Sequence, residues 1–135
     1  MSKIQYETDG DVAVIIFNDP PLNVFSEQHW DEMIAAVGKA AAAGHRALLI
    51  RAEGPNFSGG ADVEIFHKRG AEEARSILAR YLTISHTLEN LPFPVIAAVR
   101  GVSRFQCSAV SATKPPIDKS QARVGSPSDR LCRST

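Results

Sequence analysis

Three short apolar runs constrain the fold of this chain more than any other feature of its sequence. They are 12–17, 47–52 and 95–99. Each is five or six residues long, and turn-forming residues or prolines follow or flank it, which is typical of strands buried in a sheet. A further strand over residues 3–8, joined to the first run through Asp9 and Gly10, predicts a hairpin. The sequence therefore predicts an α/β fold.

Helical periodicity fills the spaces between these runs. Ser26 is suited to cap a first helix and Gly44 to end it, so that a crossover helix connects two parallel strands. A short helix is predicted over 63–68 and a longer one over 71–91, which the prolines that follow would end. The predicted apolar positions of the first helix are Trp30, Met33, Ile34, Val37 and Ala41, and those of the long helix are Ala74, Ile77, Leu78, Tyr81, Leu82, Ser85 and Leu88.

Composition and charge narrow the function. The chain has 135 residues, 44% of them hydrophobic, and a formal net charge of zero. Its first hundred residues are mildly acidic, which argues against a nucleic acid partner. We expect no membrane partner, because no apolar run approaches the roughly 18 residues that span a bilayer. Cys107 and Cys132 lack the spacing of a metal site or a disulfide framework, so we expect no metal and a cytoplasmic location.

The segment Asn56–Asp62 is the candidate functional site. Its adjacent glycines, Gly59 and Gly60, allow a ligand to approach the main chain closely. One interpretation is that Gly60 and Ala61 present backbone N–H groups to a carbonyl oxygen that gains negative charge during a reaction. The other is an ordinary glycine turn followed by a helix that Asp62 caps. The sequence alone leaves both interpretations open.

Four segments together resemble the crotonase (enoyl-CoA hydratase/isomerase) family, in the family's order and spacing. They are 17–26 (FNDPPLNVFS), 47–53 (ALLIRAE), 57–62 (FSGGAD) and 91–101 (LPFPVIAAVRG). The resemblance covers roughly residues 8–102, which is half or less of a usual family subunit.

The resemblance implies a spiral of ββα units, here incomplete, and an acyl-CoA thioester as partner, with coenzyme A as part of the substrate and no other cofactor. It implies an oxyanion hole of two backbone N–H groups, the first of them from Ala61, beside Gly60. The implied reactions are hydration of a 2-enoyl-CoA or a shift of its double bond, as in fatty acid metabolism. Family subunits form homo-oligomers. The positions implied for substrate or CoA binding are Asn23, Val24, Phe25, Ser58, Gly59, Ala61 and Asp62.

The sequence departs from the family pattern after Val102. The family's second N–H comes from a glycine-rich helix start near this point, followed in hydratases by a catalytic Glu, whereas residues 102–109 contain no glycine. Ser128 stands where the second Glu of hydratases would be expected, so neither acid–base Glu can be assigned. We interpret residues 1–102 as a family region and 103–135 as a largely irregular or disordered tail of a shortened or rewritten, catalytically impaired subunit. The alternatives are a genuine tail with its own role, and a non-catalytic domain that binds CoA weakly or associates with proteins.

Other residues have two open interpretations. Val24 and Phe25 either run near CoA or form a hydrophobic staple onto the first helix. The basic residues 67–69 either bind CoA phosphates or form a solvated helix end. Glu64 either takes part in the reaction as an acid or is a solvated surface residue. Trp30 is predicted to be core. His29, His45 and His86 are predicted to be exposed or half-buried, and no Ser-His-Asp pattern is evident.

Overall fold

A computed structural model of the protein describes residues 1–103. Its main sheet has four strands, which are β1 (Ile4–Asp9), β2 (Val12–Phe17), β4 (Ala47–Ala52) and β6 (Val95–Ala97). They lie side by side in the order β1-β2-β4-β6. The hairpin of β1 and β2 is antiparallel, and the other pairs are parallel. The hairpin, the crossover and the three apolar strands are confirmed.

Strand β6 is shorter than the predicted run 95–99. It pairs with Leu48–Ile50 of β4, and Ala98 still donates its N–H to Ile50 O over 2.9 Å. Beyond that point the Arg100 side chain donates to Ala52 O over 3.0 Å, and Arg100 O accepts from Phe57 N over 2.9 Å. The chain therefore leaves the sheet and joins the loop that follows β4.

Helix α1 (Glu27–Ala42) crosses between β2 and β4, with Ser26 at its N-cap position. It ends as predicted near Gly44, whose φ of +65° suits glycine. Its buried residues are His29, Met33, Ala36, Val37 and Ala40. Ala40 thus replaces the predicted Ala41, because the buried stripe follows the spacing of Met33, Val37 and Ala40.

Helix α2 (Ala71–Glu89) ends two residues before the predicted Leu91 and buries Tyr81, Ile84 and Leu88. Two residues of its predicted apolar face, Leu78 and Leu82, are 51% and 40% exposed. They line an open cavity instead of packing on the sheet. The predicted short helix 63–68 is a 3-10 helix, Val63–Phe66. In the described residues 1–103, no helix has the length and apolar character to cross a membrane.

A second, two-stranded parallel sheet was not predicted. Strand β3 (Val24–Phe25) pairs with β5 (Gly60–Ala61), so that Val24 opposes Gly60 and Phe25 opposes Ala61. The sequence predicted a loop at β3, because two residues are too few to show periodicity. This small sheet joins the segment before α1 to the glycine segment.

Three buried phenylalanines connect the two sheets. Phe17 ends β2, Phe25 lies in β3, and Phe57 precedes β5. The ring of Phe17 lies edge-on to Phe25 with centroids 4.9 Å apart, and 5.1 Å from the ring of Phe57. Such pairs contribute about 0.5 to 1.5 kcal/mol beyond the burial of their area. The main core therefore continues directly beneath the glycine segment.

Replacing Leu48 tests this core. Leu48→Ala should lower the free energy of unfolding by about 2 to 5 kcal/mol, because the side chain is fully buried in β4 and its removal leaves a cavity. Leu78→Ala, the matched control at an exposed position, should lower it by less than about 1 kcal/mol. Urea denaturation followed by circular dichroism measures both, and equal losses would contradict the assignment.

Candidate functional site

The backbone amides of the glycine segment are the centre of the candidate site. Gly59 N donates to Leu22 O over 2.6 Å, Gly60 N to Ser58 Oγ over 3.1 Å, and Asp62 N to Phe25 O over 2.9 Å. Neighbouring amides of a strand point to opposite sides, and that of Asp62 points to β3. The N–H of Ala61 therefore faces away from β3.

Ala61 lines a cavity of about 210 Å³ between the glycine segment and the two helices. The side chain of Ala61 is exposed, and the remaining lining is mostly apolar and aromatic. The lining residues are Phe25, Trp30, Ser58, Gly60, Ala61, Phe66, Leu78, Tyr81, Leu82, Ile84 and Ser85. An amide beside an apolar cavity can bind a carbonyl oxygen while the cavity takes the apolar group attached to it.

The structure contains the glycine turn followed by an Asp62 cap, and the role of Gly60 and Ala61 as amide donors to a ligand stays a prediction. Asp62 is the N-cap of the 3-10 helix and accepts a hydrogen bond from Glu64 N at Oδ1 over 3.0 Å. Gly60 has a φ of +97°, which disfavours other residues. A Cβ on Gly59 would lie 3.0 Å from Val24 Cγ2. The cap orients the chain after Ala61, and the glycines allow the turn before it.

Asn23 connects two loops from a fully buried position. Its Oδ1 accepts from Asp19 N over 2.8 Å, and its Nδ2 donates to Glu53 O and Asn56 O over 3.0 and 2.8 Å. Its φ of +49° is one that Asn tolerates better than most residues. Because the side chain is 0% exposed and its amide is fully engaged, Asn23 belongs to the scaffold of the site and does not line the cavity.

Asn56 attaches a third segment to the same scaffold. Its Nδ2 donates to Pro21 O over 2.9 Å, and its Oδ1 accepts from Val102 N over 3.0 Å. Gly101 passes so close that an added Cβ would lie 2.7 Å from Asn56 Oδ1. Ser103 then forms a parallel bridge with Ser58. The last described residues therefore lie beside the glycine segment, and the rest of the predicted tail lies outside the described residues.

Of the other positions predicted to bind substrate or CoA, some line the cavity and some do not. Phe25 and Ser58 line the cavity with Gly60 and Ala61, whereas Val24, Gly59 and Asp62 do not. The Ser58 hydroxyl is occupied, since it donates to Asn23 O over 3.1 Å and accepts from Gly60 N. A role of these residues in binding CoA stays a prediction.

Phe25 also forms the hydrophobic staple that was the other interpretation of its segment. It precedes the N-cap Ser26 and packs on Trp30, four positions into α1, with ring centroids 4.9 Å apart. Trp30 is half-buried, not fully in the core, and its ring also stacks on Tyr81. The sequence did not identify Trp30 and Tyr81 as cavity residues, because helical periodicity does not separate a core face from a cavity wall.

The charged residues after the glycine segment point to structural roles. Arg69 forms ion pairs with Glu27 and with Glu73, the latter over 3.2 Å. It thereby holds the start of α2 against the start of α1. Glu64 and Lys68 are exposed. Within residues 1–103 there is no group of three or more His, Cys, Asp or Glu side chains able to hold a metal ion.

The prediction that His29 is exposed or half-buried is wrong. His29 is 1% exposed, and its Nδ1 accepts from Ser26 N over 3.2 Å and lies 2.8 Å from Ser26 Oγ. Its Nε2 lies 3.4 Å from Asp19 Oδ2. Ser26 and Asp19 thus lie on two sides of the His29 ring, but among the described residues Nε2 has no hydrogen-bond partner. The ring is closed to solvent and packs on Phe25, so these three residues have a structural role and do not form a catalytic Ser-His-Asp set.

Burial lowers the pKa of His29 from its ordinary value of 6.5, and this effect outweighs that of Asp19, which raises it. The charge of Lys3 also lowers the pKa of His29, and the charge of Glu32 raises it. The neutral imidazole is therefore the form that the folded protein favours. Since Nδ1 accepts the Ser26 N–H, the proton of this neutral ring is on Nε2, facing Asp19.

Comparisons with known proteins show which family this chain resembles in sequence and fold. Residues 7–104 match the sequence model of the family described as enoyl-CoA hydratase/isomerase. A protein of Bacillus subtilis (strain 168), named as a probable enoyl-CoA hydratase, is 33% identical over 105 residues, which cover 76% of this chain and 41% of that protein. The chain thus spans about two fifths of the length of this relative.

Solved structures give the same result for the fold. An enoyl-CoA hydratase from Thermoplasma volcanium GSS1 is 25% identical, with a TM-score of 0.69 over 75% of this chain and 41% of that one. An enoyl-CoA hydratase/isomerase from Xanthobacter autotrophicus Py2 is 35% identical, with a TM-score of 0.67 over 74% and 39%. The described residues therefore have part of a crotonase-like fold, as predicted.

Replacing Asn23 should loosen the scaffold. Asn23→Ala removes the side-chain partner of Asp19 N and of two carbonyls in a partly buried place, so we expect the free energy of unfolding to fall by about 2 kcal/mol. Asn90→Ala at the exposed end of α2 is the matched control and should cost less than about 1 kcal/mol. Urea denaturation measures both, and a small loss at Asn23 would show that its contacts are not needed.

His29 should make stability depend on pH. Its pKa is lower in the folded state than in the unfolded state, so the unfolded chain binds the proton more readily. Stability from this group is complete above about pH 6.5 and falls as the pH drops below that value. His29→Gln should flatten the stability profile between about pH 7 and pH 5, whereas Asn90→Ala, which removes no titratable group, should not. Thermal unfolding across this range is the measurement, and a slope unchanged by His29→Gln would contradict the argument.

Proposed function

The chain belongs to the enoyl-CoA hydratase/isomerase family, and from that premise we propose that it binds acyl-CoA thioesters through the Ala61 amide. The observation that carries the proposal is the position of this amide. It faces away from β3, at the lining of an apolar cavity, while the amides on either side are engaged. The thioester carbonyl oxygen would accept from Ala61 N–H, and the acyl group would enter the cavity.

The proposed chemistry is stabilisation of a thioester enolate. Addition of water to a 2-enoyl-CoA, or movement of its double bond, passes through negative charge on the thioester oxygen. A preorganised amide donor in a site that excludes water stabilises this charge, and losing one such donor costs about 3 kcal/mol of barrier. Ala61 would contribute this donor without reorganisation, because Asp62 and β3 hold the backbone on either side of it.

We propose further that this chain is impaired in turnover while it retains binding. Within residues 1–103, the carboxylates next to Ala61 in sequence are Asp62, which caps the 3-10 helix, and the exposed Glu64. Residues 102–109 lack the glycines that would supply a second amide donor. Binding of thioester with little hydration of a 2-enoyl-CoA is the expected behaviour.

A second candidate function is that of a non-catalytic domain that associates with other proteins. The observation in its favour is the outer side of β6, where Ile96 is 53% exposed and the described chain adds no further strand to the sheet. An open strand edge with an apolar side chain is a surface on which another chain can pair. Mass measurement of the purified protein in solution, alone and with thioester, separates this function from the first.

The fluorescence of Trp30 tests the proposed binding directly. Trp30 is the single tryptophan of the chain and lines the cavity. Butyryl-CoA should change its emission in a saturable way. Ala61→Pro should weaken the affinity by about tenfold, because it removes the N–H that would bind the carbonyl. The substitution deletes no bond to β3, and Gly60 has no Cβ to clash with the proline ring.

The matched control is Ala61→Ser, which keeps the N–H and should bind butyryl-CoA with the affinity of the unchanged protein. Free CoA should bind all three proteins equally and more weakly, since it has no carbonyl to grip. Equal affinity of Ala61→Pro and the unchanged protein for butyryl-CoA would overturn the assigned role of Ala61.

A further inference from the structure

Two stacked aromatic rings close the cavity between the helices. Trp30 of α1 and Tyr81 of α2 lie face to face, with centroids 4.6 Å apart and planes inclined by 14°. Both residues line the cavity. Their sequence neighbours Asp31 and Arg80 form an ion pair over 2.7 Å, which connects the same two helices. The stack therefore forms a wall without a gap at this contact between α1 and α2.

Phe25 connects the aromatic wall to the strand pair that carries Ala61. Phe25 packs on Trp30 with centroids 4.9 Å apart, and in the small sheet it pairs with Ala61. Tyr81 is buried, and burial raises the pKa of its hydroxyl, aided by Glu27 and Asp31. Tyr81 thus stays neutral at physiological pH. Packed side chains therefore connect the strand pair that carries Ala61 to the aromatic wall.

The rest of the lining differs in character from this wall. Leu78 and Leu82 are large, apolar and about half exposed, so the cavity is open to solvent on their side of α2. The volume of about 210 Å³ lies below the roughly 300 to 1,000 Å³ of pockets that enclose a whole drug-sized ligand. It therefore suits one apolar group attached to a larger molecule.

We propose that Trp30 and Tyr81 determine acyl-chain specificity, by limiting the cavity to short and medium acyl groups. This inference rests on the proposed function and adds a substrate class to it. An acyl group bound at Ala61 fills the cavity until it reaches the stacked rings, and further methylenes gain no contact. Longer chains have to leave past Leu82 into water.

The proposal predicts a break in the dependence of affinity on chain length. Each methylene that becomes buried raises affinity by about fourfold. Titration calorimetry should show affinity rising with chain length up to a medium chain and then staying constant. The series is butyryl-, hexanoyl-, octanoyl-, decanoyl- and dodecanoyl-CoA. Affinity that rises steadily through dodecanoyl-CoA would overturn the proposal.

Two substitutions move the wall in opposite directions. Trp30→Ala opens the space between the helices, so the break should shift to longer acyl groups. Leu82→Trp, at a lining position that is already exposed, fills the cavity and should shift the break to shorter ones. The second variant keeps the test decisive even when the first destabilises the protein. Ile34→Ala, one turn along α1 and outside the lining, is the matched control and should leave the break unchanged.

The outcomes separate this inference from the proposed function. Thioesters that bind with the same break in all variants would overturn the role of the aromatic wall and leave binding at Ala61 standing. A shift in Ile34→Ala as large as that in Trp30→Ala would also overturn it, because it would show a general effect on α1. Absence of binding of every thioester to the unchanged protein would overturn the proposed function itself, and this inference with it.

Discussion

The side chain of Asn23 is the contact on which the candidate site depends. The side-chain amide forms hydrogen bonds with the backbone of Asp19, Glu53 and Asn56. The backbone carbonyl of Asn23 accepts a further hydrogen bond from the Ser58 hydroxyl. One buried residue therefore fastens the loop before α1 to the loop after β4. A buried amide with all its partners in place resists exchange with water, since breaking any one bond exposes an unsatisfied group.

The geometry of the glycine segment follows from this fastening. With the two loops joined, β3 lies beside β5, and the amides of Gly59 and Asp62 find their acceptors in the segment that carries Asn23. Strand alternation then leaves the Ala61 amide facing the other way. His29 and Ser26 support the same segment from behind, through Phe25. Preorganised binding of an oxyanion needs an amide donor whose neighbouring backbone is fixed by hydrogen bonds, as it is here on both sides of Ala61.

The cavity is built by a different part of the molecule. Its walls come from α1 and α2, whose contact depends on the stacking of Trp30 on Tyr81 and on ion pairs at the helix surface. The scaffold of Asn23 and the helix contact meet at Phe25, which touches both. Under the two proposals, substitutions in the scaffold of Asn23 should affect binding of the thioester carbonyl, and substitutions at the helix contact should affect selection of the acyl group. Phe25 connects the two regions.

The sequence by itself determined the elements whose signal is local. The hairpin, the crossover helix and the apolar strands follow from short patterns of apolar residues and turn formers, and the Gly59–Gly60 pair marked the site. The glycine pair already indicated Ala61 as a candidate amide donor, and the resemblance to the crotonase family implied the same residue. Tertiary structure alone decided the pairing of β3 with β5, the burial of His29, the scaffold role of Asn23 and the cavity wall. Each of these depends on contacts between residues far apart in the chain, such as Asn23 with Asn56 or Trp30 with Tyr81, which no local periodicity encodes.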